Sequence, residues 1–174
     1  MINKANFILL ISFFGYMFLY LFLFKNIVLF DRAFCLVYLA FLLTVQIDSN
    51  RIFALFIGAI TGLVVDVFSD SLGIHMAACI LLMYVRYYLV GWITPQGGYD
   101  SNALPTIRSM GLQWYLTYAI PLIFIHNVCL FYTEAGESSL FFFTLSKVIL
   151  SSIFTLVMIT LLQFLISSSS KRSI

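Results

Sequence analysis

Between Phe7 and Ile166 this chain is a series of near-continuous apolar runs, and the longest polar connection between them is Thr94–Ser109. Runs of this kind approach the roughly 20 residues that a helix needs to cross the hydrocarbon of a bilayer. Composition rules out a soluble alternative: of 174 residues, 63% are apolar and only 9% charged, with a mean hydropathy of +1.07. A soluble domain needs a polar exterior, and there is too little polar surface here to make one. The expectation is an all-α integral membrane protein of one domain, residues 1–174, with almost no mass outside the bilayer. Six transmembrane helices are read, over about Phe7–Phe24, Ala33–Ile47, Ile52–Phe68, Ile74–Ile93, Met110–Tyr132 and Leu140–Ile166, with a polar tail over 167–174. The second is short for a span and is expected to take in part of Ile27–Phe30, or to lie tilted and partly covered.

Six crossings put both termini on one side. Lys4, Arg51, Arg108, Lys171 and Arg172 fall there, with Arg86 close by, against Lys25 and Arg32 on the other. Positive-inside counting therefore places both termini in the cytoplasm. The Asp66–Gly73 turn, Glu134 and Glu137 then face outward, and Trp92, Trp114 and Tyr115 flank the cytoplasmic loop at headgroup depth. Phe7–Phe24 is longer than a signal-peptide core and ends LFLFKN without the small residues of a cleavage site, so it is expected to remain as a span. A net charge of +2, with no basic patch beyond Lys171-Arg172, argues against nucleic acid as a partner. Cys35, Cys79 and Cys129 stand isolated in apolar segments, which indicates neither a disulfide framework nor a zinc site. They read as buried free thiols.

Within the third run, Ala54, Gly58, Gly62, Asp66 and Asp70 recur every fourth residue and so form one stripe on a helix. Small residues at that spacing allow close approach of two membrane helices. Carboxylates continuing the stripe are costly in so apolar a chain and mark a functional candidate. The spacing Gly62-x3-Asp66-x3-Asp70 resembles the second half of the signature of CDP-alcohol phosphotransferases, whose acids hold metal ions against a pyrophosphate. The first half fails, because Ser49, Ile52 and Phe53 follow Asp48 where Gly, Ala and Arg are required, and no further aspartate-rich turn follows.

The structural reading of the acids is stronger. Asp70 or Ser71 is placed to cap the first N–H groups of the fourth helix, and Gly73 eases the tight connection. Like charges four apart repel on an unbroken helix, so the helix is expected to end between Asp66 and Asp70, or one acid to be paired or protonated. His75, His126 and Lys147 lie at similar depth, and Lys147 belongs to an inward-facing polar stripe with Thr144, Ser151 and Thr155. The expected anchor is a pair between Asp66 or Asp70 and Lys147, with His126 nearby. Two histidines on different helices without a third ligand read as structural groups, so no metal is expected. Arg86 is expected to snorkel to the cytoplasmic interface, toward Asp48. Pro121 should kink the fifth helix. No G-x-S-x-G, H-E-x-x-H or phosphate-binding glycine loop occurs.

The junction GLVVDVFSDSLGIH resembles the MreD family of bacterial rod-shape-determining proteins, whose pattern there is glycine, an apolar residue, an aspartate, a short turn and Leu-Gly before an apolar helix. Gly62, Leu63, Asp66, Leu72, Gly73 and Ile74 supply it. The stretch NIVLFDRAFCLVYLAFLL is similar to the family's first-to-second helix region. GGYDSNALP and IHNVCLF resemble Bacteroidetes-type members. The resemblance implies a non-enzymatic inner-membrane scaffold of the elongation machinery. It would bind the membrane-anchored protein MreC and work with MreB filaments and elongation peptidoglycan synthases. It implies no cofactor and no small-molecule substrate. It also implies a fold similar to the six-helix substrate-binding subunits of energy-coupling-factor transporters. Vitamin uptake by such a subunit is the alternative, but the small-residue docking face of their first helix is missing, since Phe7–Phe24 offers only Ser12 and Gly15. On this reading Gly58, Gly62 and Gly73 serve helix packing or partner binding. Asp66, Asp70, His75, Arg86, His126 and Lys147 form the buried polar anchor.

Overall fold

A computed structural model describes residues 4–100, 103–136 and 141–169. Expectations for Glu137, Leu140, Lys171, Arg172 and the Lys4 side chain lie outside the described residues. Helix α1 covers Lys4–Leu19 and continues as a π-helical turn over Tyr20–Phe24. A two-stranded antiparallel hairpin follows, β1 Val28–Leu29 against β2 Ala33–Phe34, then a five-residue helix α2 over Leu39–Leu43. The remaining elements are α3 Arg51–Ser69, α4 Ile74–Trp92, the short α5 Ile107–Met110, α6 Leu112–Ala135 and α7 Phe141–Ser169. Four of these, α3, α4, α6 and α7, are long and apolar enough to cross a membrane, while the first apolar run, Leu9–Phe24, is shorter. Their outward faces are apolar: Phe14, Phe18, Phe22, Ile52, Phe56 and Val67 are all exposed.

The expected second helix over 33–47 is corrected. Only Leu39–Leu43 is α-helical, and the rest is hairpin and turn. The physical reason lies in its surroundings. Every residue from Cys35 to Leu43 is at most 4% exposed, so this segment is the core of the bundle and touches no lipid. Non-helical backbone is tolerated at membrane depth only where protein satisfies its polar groups. Here α7 does so. Phe34 N donates to Ser151 Oγ at 3.0 Å and Leu36 N to Thr155 Oγ1 at 3.1 Å. In return Ser151 Oγ donates to Arg32 O and Thr155 Oγ1 to Phe34 O, each at 3.3 Å. The polar stripe Thr144, Ser151 and Thr155 is buried, as its inward facing required, and two of its hydroxyls stand in for a neighbouring strand. Helix α1 closes over this core through Phe13–Phe41 and Tyr20–Tyr38 ring contacts at 5.3 and 4.8 Å.

The longest interhelical contact is α3 on α4, and the small-residue stripe makes it. Ala54, Gly58, Gly62 and Asp66 are all buried. A Cβ on Gly58 would meet Met83 Cγ at 2.9 Å and Cys79 O at 3.0 Å. One on Gly62 would meet Met76 Cα at 2.4 Å and His75 O at 2.6 Å, which are backbone atoms. The helices pass so closely there that no side chain fits between them.

Two stability tests follow from this packing. Gly62→Ala must push α4 away and is expected to cost about 1–3 kcal/mol in thermal unfolding in detergent. Gly15→Ala, where nothing lies within 4 Å of a Cβ, is expected to cost nothing. Thr155→Val keeps the shape but orphans the Leu36 N–H, for an expected loss of about 1–3 kcal/mol. Measuring no difference between Thr155→Val and the native chain would mean that the buried segment finds its bonds elsewhere.

Candidate functional site

Asp66 sits in the last turn of α3, where the stripe meets the start of α4. The N-cap position of α4 is Gly73, with φ +83°, a left-handed conformation that glycine takes without strain and that leaves no side chain to cap the helix. Asp66 takes over that task across the helix contact. Its Oδ1 accepts from His75 N at 3.0 Å and its Oδ2 from Met76 N at 2.9 Å, the two donors a local N-cap would satisfy. Ser71 Oγ donates to Oδ1 at 2.5 Å, and His75 Nδ1 lies 3.1 Å from the same oxygen. Because the Ser71 hydroxyl gives its one proton to Asp66, the contacts of His75 Nδ1 with Asp66 and with Ser71, the latter at 2.9 Å, are made by an Nδ1–H. Serine and aspartate thus share one ring nitrogen. A nucleophilic relay needs them on opposite nitrogens, so these residue types do not form one here.

Asp70 plays a different part. It is the C-cap of α3, left-handed at φ +52°, and exposed. The helix does end between the two acids, but the capping of α4 expected of Asp70 or Ser71 belongs to Asp66. The expected pairing of Asp66 or Asp70 with Lys147 is also corrected. Lys147 Nζ lies 3.5 Å from Glu134 Oε2 and 5.0 Å from the ring centroids of Phe34 and Phe131. The reason is proximity: α7 packs on α6, which carries Glu134, while Asp66 is occupied by the bare N–H groups of α4.

His126 stands in a second network, fully buried. Its Nε2 lies 3.0 Å from Tyr38 Oη and its Nδ1 3.3 Å from Asn127 Oδ1, while Asn127 Nδ2 donates to Ser152 Oγ at 2.9 Å. With Asn127 Oδ1 accepting from Nδ1–H, Nε2 accepts from the Tyr38 hydroxyl, and a neutral imidazole satisfies both. Tyr38 stands between the two networks, with its ring centroid 6.2 Å from His75 and 5.7 Å from His126.

Arg86 does not snorkel. It is 3% exposed and donates from Nε to Tyr118 Oη at 2.6 Å and from Nη2 to the carbonyls of Val45 and Gln46, the latter at 3.2 Å. The cause is the broken core segment, whose chain leaves α2 with carbonyls that no helix continues to bond. Tyr118 Oη donates to Leu43 O at 3.1 Å, completing the same cap. Asp48, the partner expected for Arg86, is exposed and makes no ion pair among the described residues. Tyr115, expected at the interface, is fully buried.

Gly58 and Gly62 are covered by α4 of the same chain, which leaves neither available to a partner. Sequence reasoning missed Tyr38, Tyr118 and Asn127. Asn127 had a signal, since it adjoins His126 in the middle of an apolar helix. The tyrosines had none, because tyrosine is equally common in lipid-facing positions. Among the described residues, no three His, Cys, Asp or Glu side chains cluster as a metal site would require. No family model, no curated protein and no solved structure matches this chain.

The two acids are expected to separate in one comparison. Asp66→Asn keeps the size but loses one of its two backbone acceptors, which should cost about 1–3 kcal/mol. Asp70→Asn, exposed and in a conformation asparagine tolerates, should stay within about 0.5 kcal/mol of the native chain. Equal effects in detergent unfolding would refute the assignment of the cap to Asp66.

Proposed function

We propose that this chain is a non-enzymatic membrane scaffold of the bacterial elongation machinery, of the MreD kind, that binds the transmembrane segment of MreC. The observation that carries the reading is the use made of the acids. Both oxygens of Asp66 accept backbone N–H groups and a serine proton, so the best candidate for chemistry works as a joint between helices. The phosphotransferase alternative needs Asp66 and Asp70 together on one metal, whereas Asp66 is buried with both oxygens bonded within the fold and Asp70 is exposed at the C-cap of α3. In this reading the chain crosses the inner membrane six times, the second time through the buried segment. That segment runs from the Lys25 end, where the Lys25 ammonium donates to Phe68 O, to the Arg51 end, where Ile47 N donates to Ala103 O. Both termini lie in the cytoplasm, and the Asp66 junction faces outward.

One observation favours the transporter-subunit alternative. A cavity of about 200 Å³ opens at the Asp66 end, lined by Lys25, His75 and Glu134 among aromatic residues. It falls below the roughly 300 Å³ at which pockets for small organic molecules begin. A vitamin would require Tyr20 or Phe34 to move.

Affinity purification of the tagged chain from its host's membranes in mild detergent, read by mass spectrometry, is expected to enrich MreC and elongation synthases. Depletion of the chain should round the cells. A stoichiometric small molecule in place of shape proteins would favour the transporter subunit, and enrichment of neither would sink the scaffold.

A further inference from the structure

A larger cavity, about 400 Å³, opens at the opposite end of the bundle between the start of α3 and the end of α4. Its wall includes Ser49, Arg51, Arg86, Tyr87, Gly91 and Tyr99, so two arginines border it and no acidic residue does. Arg86 is the unusual member. It is buried, its contacts are neutral oxygens, and no acid lies within 4.0 Å of it among the described residues. Its Nη1 makes no hydrogen bond there. A buried cation held only by dipoles is left with much of its desolvation cost uncompensated. An anion entering the cavity would supply the missing countercharge. Ser49 adds a hydroxyl that is buried without a partner in the same wall.

Arg51 is held ready at the mouth. Its guanidinium lies over the rings of Tyr84, Tyr87 and Tyr88, at 4.8, 5.0 and 5.3 Å, and donates to Tyr88 Oη at 3.2 Å. Such stacking fixes the plane of the group and leaves its remaining donors for an oxyanion. The surrounding chemistry says what carries that oxyanion. Tyr87, Tyr88 and Trp92 are exposed on the last turns of α4, the composition of a headgroup-level aromatic belt. Arg86 lies six residues before Trp92, about 9 Å deeper along the helix. Arg51, stacked on the belt tyrosines, stands at the level of lipid phosphates. An anion drawn to the mouth is therefore carried by a lipid whose chains continue into the bilayer, with Arg86 below it as the buried countercharge. Basic pockets between membrane helices are suited to such headgroups.

We propose that this cavity binds the phosphate of an anionic phospholipid, with Arg86 as the buried counter-ion and Arg51 as the gatepost. The inference rests on a bilayer around these helices and is independent of the scaffold role. Gly91 provides a variant that leaves both charges in place: it lines the cavity and nothing lies within 4 Å of a Cβ there, so Gly91→Leu adds bulk at the wall without displacing backbone. Arg86 itself also caps the core segment, so its replacement would confuse binding with folding. The full chain in detergent, titrated with equal amounts of phosphatidylglycerol and phosphatidylcholine and observed by native mass spectrometry, should retain the anionic lipid about tenfold better. Gly91→Leu and Arg51→Gln should each abolish most of that preference with unfolding midpoints in phosphatidylcholine nanodiscs unchanged. Equal retention of the two lipids, or undiminished preference in Gly91→Leu, would overturn the proposal. Stabilisation by inorganic phosphate alone, to the same extent as by the lipid, would assign the site to a free anion and overturn the lipid.

Discussion

Every backbone N–H and C=O shielded from water must find a partner inside the protein, and in this chain that requirement falls hardest on residues 33–47. A continuous helix would have met it locally. Here the segment is extended over β2, turns through Val37 and Tyr38, and is helical for only five residues. Its bonds are therefore made by others: Ser151 and Thr155 of α7 at one end, Tyr118 of α6 and Arg86 of α4 at the other. That dependence explains why polar residues occur in the middle of three apolar helices. Ser151, Thr155, Tyr118 and Arg86 are each matched to a backbone group of the broken segment.

The same logic describes the two ends of the α3–α4 pair. At one end Asp66 caps the first N–H groups of α4, and at the other Arg86 donates to the carbonyls of Val45 and Gln46 in the turn that follows α2. Asp66 thereby meets the partial positive charge at the start of α4, and Arg86 meets carbonyl dipoles of the broken segment. Close contact through Gly58 and Gly62 makes the first cap possible, because it brings Asp66 within bonding distance of the start of α4. Packing and polarity are thus one device: a side chain at Gly62 would separate the helices and withdraw the cap as well.

What the sequence made legible was periodic. The four-residue spacing of Ala54 to Asp66 identified a packing face, and the spacing of Thr144, Ser151 and Thr155 identified an inward one. Helix ends at Ser69, Ile74 and Trp92 fell within a residue or so of those read from hydropathy. The second run was misread because hydropathy measures burial in an apolar medium, and a protein core and a lipid tail are equally apolar. AFCLVYLAFLL has no polar face, which is the mark of an element surrounded on all sides. Partner choice was the other blind spot. Lys147 and Asp66 share a depth, but depth does not say which neighbour has an open hydrogen-bonding site. The bare N–H groups of α4 hold Asp66, and Glu134 holds Lys147 on the adjoining helix.

This division of polar groups bears on what the molecule does with its surface. Asp66, His75, His126, Asn127, Ser151 and Thr155 all make hydrogen bonds within the fold, most of them joining one element to another. Arg86 is buried with no acid within ion-pair distance among the described residues, and it lies beside an open cavity. The exterior between the two ends is apolar and aromatic, offering shape to a helix or an acyl chain and little else. Asp66, which joins the end of α3 to the start of α4, keeps the outer contour of that helix pair fixed.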